Sequence, residues 1–306
     1  MEDKTGRLPP SQHKNIAKRL LLACSKANDS AATLHILRAV YLTPSLPRAG
    51  EIASLFSAAE IRVCRQALEV LATTDDADAK TLLGEFYETE GYPQRARTLY
   101  EQALALKDAT FDPDLRGMAL PQVPAWNTLG CLLLAQEDSK SQEQAKAAFR
   151  KGAIEGDDPL SYYYLASYED RFSGPWLHFM TKAASSGHLE AMYNLGNFYM
   201  EANSYNAKNV KSQFLTDNFL VTSLRWLTQW KEDSARKYAI EWFSTAAEAG
   251  HKPSMLELAD IHELQEDIES AITWLERVTE PTAGGRAEQW PRLVDEAKRR
   301  LQTLIG

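Results

Sequence analysis

The sequence predicts an all-α protein, and three observations carry that prediction. Alanine (41) and leucine (38) far outnumber valine (8) and isoleucine (10), and unbranched side chains keep their rotamer freedom in a helix where β-branched ones favour strands. Apolar residues return at i, i+3, i+4 and i+7 in segment after segment, the spacing of one stripe per helix. The breaks between these segments recur in the same form, which marks a repeat architecture. With 306 residues, 44% of them hydrophobic, the chain is long enough for a sizeable core and too apolar to be disordered throughout.

Residues 1–10 show no periodicity and are expected to be disordered. Residues 11–75 read as helices at about 12–27, 29–42 and 58–72, with a break from Pro44 to Pro47. They lack the repeat signature described next, so they are read as capping helices or a degenerate repeat covering the first apolar face of a stack.

From 76 to 280 the same junction returns. Lys182-Ala-Ala-Ser-Ser-Gly187-His188 joins an alanine-rich helix end to a new helix through a glycine free to take positive φ. Thr245-Ala-Ala-Glu-Ala-Gly250-His251 repeats it, and Lys151-Gly-Ala-Ile-Glu-Gly156 is a weaker copy. Each first helix then carries a small residue, at Gly84, Gly130, Ala166, Gly196 and Ala259, with spacings of 46, 36, 30 and 63 residues. A neighbour is expected to approach the backbone closely at those points. The second helices are marked by Ala96-x-x-Leu99-Tyr100-x-x-Ala103 and its counterparts at Ala145–Ala153, Trp176–Ala184, Ala239–Ala247 and Ala271–Leu275. Pro93, Pro175 and Pro253 suit first turns, and Ser141-x-x-Gln144 has capping-box form.

These registered copies resemble Sel1-like repeats, relatives of the tetratricopeptide repeat, over roughly residues 78 to 280. The resemblance implies a right-handed superhelical solenoid of stacked antiparallel helix pairs. The departures are Ala166 and Ala259 in place of glycine, a linker from Asp108 to Val123, and an insertion at about 201–233. Gly284 and Gly285 separate the last repeat from a C-terminal capping helix within 281–306, at about 288–305.

Signals for chemistry are sparse. A net charge of −8 removes the broad basic field that nucleic acid requires. No apolar run approaches the roughly 18 residues of a membrane span. The three cysteines, Cys24, Cys64 and Cys131, form no CxxC pair and are read as core thiols of a reducing compartment, either cytoplasm or mitochondrial matrix. Nucleotide-binding glycine loops, a P-loop and a GxSxG elbow are all missing. His262-Glu-Leu-Gln-Glu266 lacks the second histidine of a zinc-protease helix. His188 and His251, like Asp75-Asp76 and Asp157-Asp158, are assigned to helix capping. No cofactor or metal is expected, and no catalytic residue is assigned.

The cysteine-paired members of the repeat family, some with hydrolase activity, are matched only by Cys131 within the repeats. The tetratricopeptide carboxylate clamp is matched at Asn194 and Asn197, but Tyr193 stands where its lysine belongs.

What remains is surface. The resemblance places the first helices on a concave face, where Glu85, Asn127, Tyr163, Tyr193, Asn197 and Asp260 flank the small positions, with Glu88, Ser167 and Glu263 beside them. As a set they form an acidic groove with tyrosines, suited to a basic or amphipathic helical segment of a protein partner. Within the insertion, Asn203, Ser204, Asn206 and Asn209 read as a loop, and Leu220, Trp226 and Trp230 lie on an apolar helical stripe that either anchors a partner or folds into the core. The expected function is a non-catalytic scaffold or adaptor, as assembly factor or subunit of a larger complex. The alternatives are an RNA-binding helical-repeat protein of an organelle, an adaptor of membrane-protein quality control, and a hydrolase hidden in the groove.

Overall fold

The computed structural model describes residues 10–106, 120–136, 138–171, 173–208, 234–281 and 288–305. Those residues form fifteen helices and no strand. The chain divides into two compact units, Met1–Ala148 and Phe149–Gly306.

The first unit holds α1 (Pro10–Lys26), α2 (Ser30–Leu42), α3 (Pro47–Ala53), α4 (Ala58–Leu71), α5 (Ala77–Thr89), α6 (Pro93–Ala105), α7 (Ala125–Leu134) and the start of α8 (Ser139–Gly156). The break between Pro44 and Pro47 is thus followed by one short helix, which Pro47 opens from its first turn. Asp29 and Asp76 cap α2 and α5, each side chain accepting from a backbone N–H three residues on. Ser57 and Glu60 form a full capping box on α4. The core joins Ile36 and Leu37 of α2, Cys64 and Leu68 of α4, and Leu82 and Leu83 of α5. Across it, Arg38 of α2 pairs with Glu85 of α5, both buried. Burial raises the Glu85 carboxyl to about 7 against the opposing pull of Arg38.

The second unit holds the rest of α8, then α9 (Pro159–Ala166), α10 (Gly174–Ser185), α11 (Leu189–Lys208), α12 (Ser234–Glu248), α13 (Lys252–Leu264), α14 (Ile268–Thr279) and α15 (Pro291–Ile305). Three antiparallel pairs, α9/α10, α11/α12 and α13/α14, stack so that each second helix also packs on the next first helix. The closing helix α15 lies against α13 and α14, burying Ala297 and seating Leu293, Val294, Leu301 and Leu304 on their core.

The junctions follow one plan. Gly187 and Gly250 take φ of 94° and 93°, and the next N–H, of His188 or His251, donates to the carbonyl of Ala183 or Ala246. That bond closes a left-handed C-cap. The weaker copy shifts by one residue: Gly156 ends α8 as its last helical residue and Asp157 takes φ of 43°.

The small positions are explained by the ring opposite. A Cβ added to Gly84 would lie 2.9 Å from Cδ1 of Tyr100, and one added to Gly196 would lie 2.6 Å from Cδ1 of Phe243. Tyr100 and Phe243 are the large residues of the paired second helices, both fully buried. Where the small residue is alanine the large one is not aromatic: Ala166 shares its core cluster with Met180, and Ala259 with Leu275. The two departures from glycine are therefore matched by smaller partners.

Several expectations are corrected. Helix α11 continues to Lys208 through Asn203, Ser204 and Asn206. Asparagine and serine weaken a helix only slightly, and neither glycine nor proline is there to end it. The cap of α8 is Asp138, which accepts from Ser141 N–H at 2.9 Å, while Ser141 itself is buried with its hydroxyl on Gln136. Of the cysteines only Cys64 is core; Cys24 is exposed on α1 and Cys131 is half-buried, and none of the three is in a disulfide.

Candidate functional site

The first helices of the second unit present one continuous chain of side-chain links. Tyr163 of α9 stacks on His188 at the start of α11, with ring centroids 4.3 Å apart and planes 19° from parallel. It also hydrogen-bonds Asn194 of α11. One repeat on, Tyr193 of α11 lies 5.5 Å from the ring of His251 and its hydroxyl donates to Glu257 Oε1 of α13 at 3.1 Å. The register is the same in both cases. A tyrosine three residues before the small position meets the capping histidine of the next repeat and the side chain two residues before that repeat's small position. Leu256 occupies the tyrosine's place in the third pair, so the ladder has two rungs.

Each histidine is held neutral with a fixed tautomer. His188 Nδ1 accepts from Ala191 N–H at 3.2 Å, and His251 Nδ1 accepts from Ser254 N–H. With Nδ1 accepting, Nε2 of His251 carries the proton and donates to Glu190 Oε1 at 3.2 Å. Burial lowers both histidines' pKa, and nearby carboxylates, Glu190 foremost, offset part of that shift. Burial likewise raises Tyr163, Tyr193 and Glu257. Trp290 meets the His251 ring edge-on at 5.4 Å. Beside it Lys252 donates to Glu280 O at 2.8 Å and to Glu288 Oε2 at 2.6 Å.

The face is acidic. Glu190, Glu257 and Asp260 lie along it, and the cation at its far end, Arg300 of α15, is divided between Asp260 at 2.5 Å and Glu263 at 2.7 Å. His262 pairs with Asp267 at 3.1 Å, not with a metal-binding partner. Among the described residues no cluster of three His, Cys, Asp or Glu side chains is arranged to hold a metal ion.

Of the six residues expected on this face, Tyr163, Tyr193, Asn197 and Asp260 are half-exposed on one side of the second unit, Asn197 bonding Tyr193. The other two lie deep. Glu85 is 3% exposed and committed to Arg38, and Asn127 is 1% exposed. Glu85 is turned to Arg38 of α2, and neither side chain is open to a partner. In the first unit Glu88 remains outside, accepting from the Tyr100 hydroxyl at 3.0 Å. Leu220, Trp226 and Trp230 lie outside the described residues. The sequence reading missed Glu190 and Glu257. Their signal was register: Glu257 stands where Asn194 stands one repeat earlier.

Stacked helix pairs with a small-to-large lock in each define a helical-repeat protein. Its two Ala-Ala-x-x-Gly-His junctions resemble those of Sel1-like repeats. The tetratricopeptide-repeat family model matches residues 81–114, beginning within α5 and running through α6. A solved structure of a Sel1 repeat protein from Oxalobacter formigenes aligns over 96% of this chain and 97% of its own, at 17% identity and a TM-score of 0.26. No curated protein matches the sequence. Among the described residues no helix is long and apolar enough to cross a membrane.

Proposed function

We propose that the protein is a non-catalytic scaffold or adaptor that binds other proteins, as assembly factor or subunit of a larger complex. The observation that carries this reading is the tyrosine ladder with Glu190, Glu257 and Asp260 beside it. Rigid aromatic side chains with a polar tip give large contact area at little entropic cost, and carboxylates around them select cations. The partner that fits is a basic or amphipathic helical segment of another protein. The same carboxylates repel a phosphate backbone, which weighs against RNA. Three cysteines outside any disulfide support a reducing compartment, cytoplasm or mitochondrial matrix.

The test is native affinity purification of the tagged chain at moderate salt with a nuclease-treated control, repeated with Glu190→Lys and Glu257→Lys together. A stoichiometric set of proteins that survives nuclease and is lost from the variant is the expected result. A chain that emerges alone, or with nuclease-sensitive material, overturns the scaffold reading.

A further inference from the structure

The first unit carries a second surface, independent of the tyrosine face. One side of α1 is ordinary: Leu21 and Leu22 pack on the core, Ser25 Oγ meets Thr33 Oγ1 at 2.8 Å, and Lys18 pairs with Glu60 at 2.8 Å. The opposite side is apolar as well. Ile16 and Leu20 are 56% and 59% exposed, and Ala23 and Ala27 continue their line into the turn that follows, also exposed. Positions i, i+4, i+7 and i+11 make one stripe about 16 Å long, the length of another helix of three turns. A helix that ends a stack toward water is normally polar on its outer side, so this stripe is out of place on a surface that meets only solvent.

Charge says what covers it. Every charged residue of α1 is a cation, in a chain whose net charge is −8. Lys18 is engaged by Glu60, whereas Lys14, Arg19 and Lys26 are exposed and make no ion pair among the described residues. A second copy's α1 would bring the same cations against them, so symmetric pairing is disfavoured. An anionic bilayer fits poorly too, because the stripe has only two large side chains and no aromatic, and the rest of the chain is repelled. We propose that the outer face of α1 docks an acidic amphipathic helix of a protein partner, its leucine-type stripe on Ile16 and Leu20 and its carboxylates beside Arg19 and Lys26.

The probe is a labelled helical peptide with leucines at i, i+4, i+7 and i+11 flanked by glutamates, titrated with the full chain, and its counterpart with lysines for glutamates. The acidic peptide is expected to bind saturably, at least about tenfold more weakly to Leu20→Glu, and several-fold more weakly when salt rises through the range where the Debye length falls from about 10 to about 3 Å. Ile16→Glu serves as a second variant, and the melting temperature of each confirms that an exposed substitution leaves the fold intact. The proposal is overturned if the acidic peptide does not bind, if the lysine peptide binds as well, or if neither variant weakens binding. Co-sedimentation with phosphatidylserine vesicles that Leu20→Glu abolishes would also overturn it, by making lipid the ligand.

Discussion

Adding one methyl group at Gly196 tests the central packing rule of the repeats. In a helix interior Gly→Ala stabilises by about 1 kcal/mol through backbone entropy alone. Here the new Cβ would lie 2.6 Å from Cδ1 of Phe243, where unstrained carbon contacts are about 3.5–4.0 Å. The ring must retreat by about 1 Å, yet it is fully buried and packed in the core around Met255 and Leu258. Overpacking costs about 1–3 kcal/mol, and so close a contact on a fully buried ring belongs at the upper end, about 2–3, so Gly196→Ala is expected to be net destabilising by about 1–2 kcal/mol. Phe243→Leu alone opens a cavity and is expected to cost about 2–3 kcal/mol. Together the two changes rebuild the alanine–leucine lock of Ala259 and Leu275, and the double variant should recover about 1–2 kcal/mol relative to additivity. The assay is urea unfolding of the full chain followed by circular dichroism, with the second unit's transition read separately if the two units unfold apart. A neutral or stabilising Gly196→Ala, or a strictly additive double variant, would refute the reasoning.

Two further outcomes follow from buried charge. His188 and His251 have folded-state pKa values below the ordinary 6.5, so the unfolded chain takes up their protons first as pH falls. Their contribution is present above pH 6.5 and is lost as pH falls below it toward the folded values. Melting curves between about pH 8 and about pH 5 should show this decline, and Asn at both positions, which caps equally well without titrating, should flatten it; an unchanged slope would sink the assignment. Arg38→Met strands the Glu85 carboxylate in the core and is expected to cost about 3–5 kcal/mol. Removing both charges with Arg38→Met and Glu85→Gln should restore most of it. Because the Glu85 pKa is raised to about 7, its protonated form favours the fold. Arg38→Met also removes the group that lowers this pKa, so the loss in the single variant should deepen as pH rises above about 7; a loss independent of pH would count against burial as the cause.

The repeat register was legible because it is written in residues whose conformational or steric demands few others meet. Gly187 and Gly250 need positive φ, and Gly84 and Gly196 need the absence of a Cβ, so sequence alone locates helix ends and close approaches. The caps Asp76 and Asp158 were legible for the same reason. Ser141 was misread because a capping-box pattern does not say whether its serine lies outside the helix or, as here, buried within its first turn. Glu85 and Asn127 were misread because helical phase fixes a direction only to within a side chain's width: Glu85 meets Arg38 of α2, and both residues are buried. Four of the six face residues share one surface, but their partners Glu190, Asn194 and Glu257 come from the following repeats, a relation no local window contains.

The ladder ties function to stability in a way neither element has alone. Tyr163 and Tyr193 are at once the most interactive side chains of the acidic face and the links between successive repeats. Whatever docks there presses on the joints it would need to hold still, and the histidines beneath those joints prefer to be neutral. A partner that neutralises Glu190 removes part of the negative potential that offsets the histidines' burial, which lowers their folded-state proton affinity further below that of the unfolded chain and deepens the loss of stability toward acid. Binding of a basic segment should therefore protect the second unit most strongly above pH 6.5, where both histidines are neutral, and the stabilisation measured with partner present should shrink as pH falls. A protection that is constant with pH would separate the docking face from the histidine joints and leave the tyrosines as packing alone.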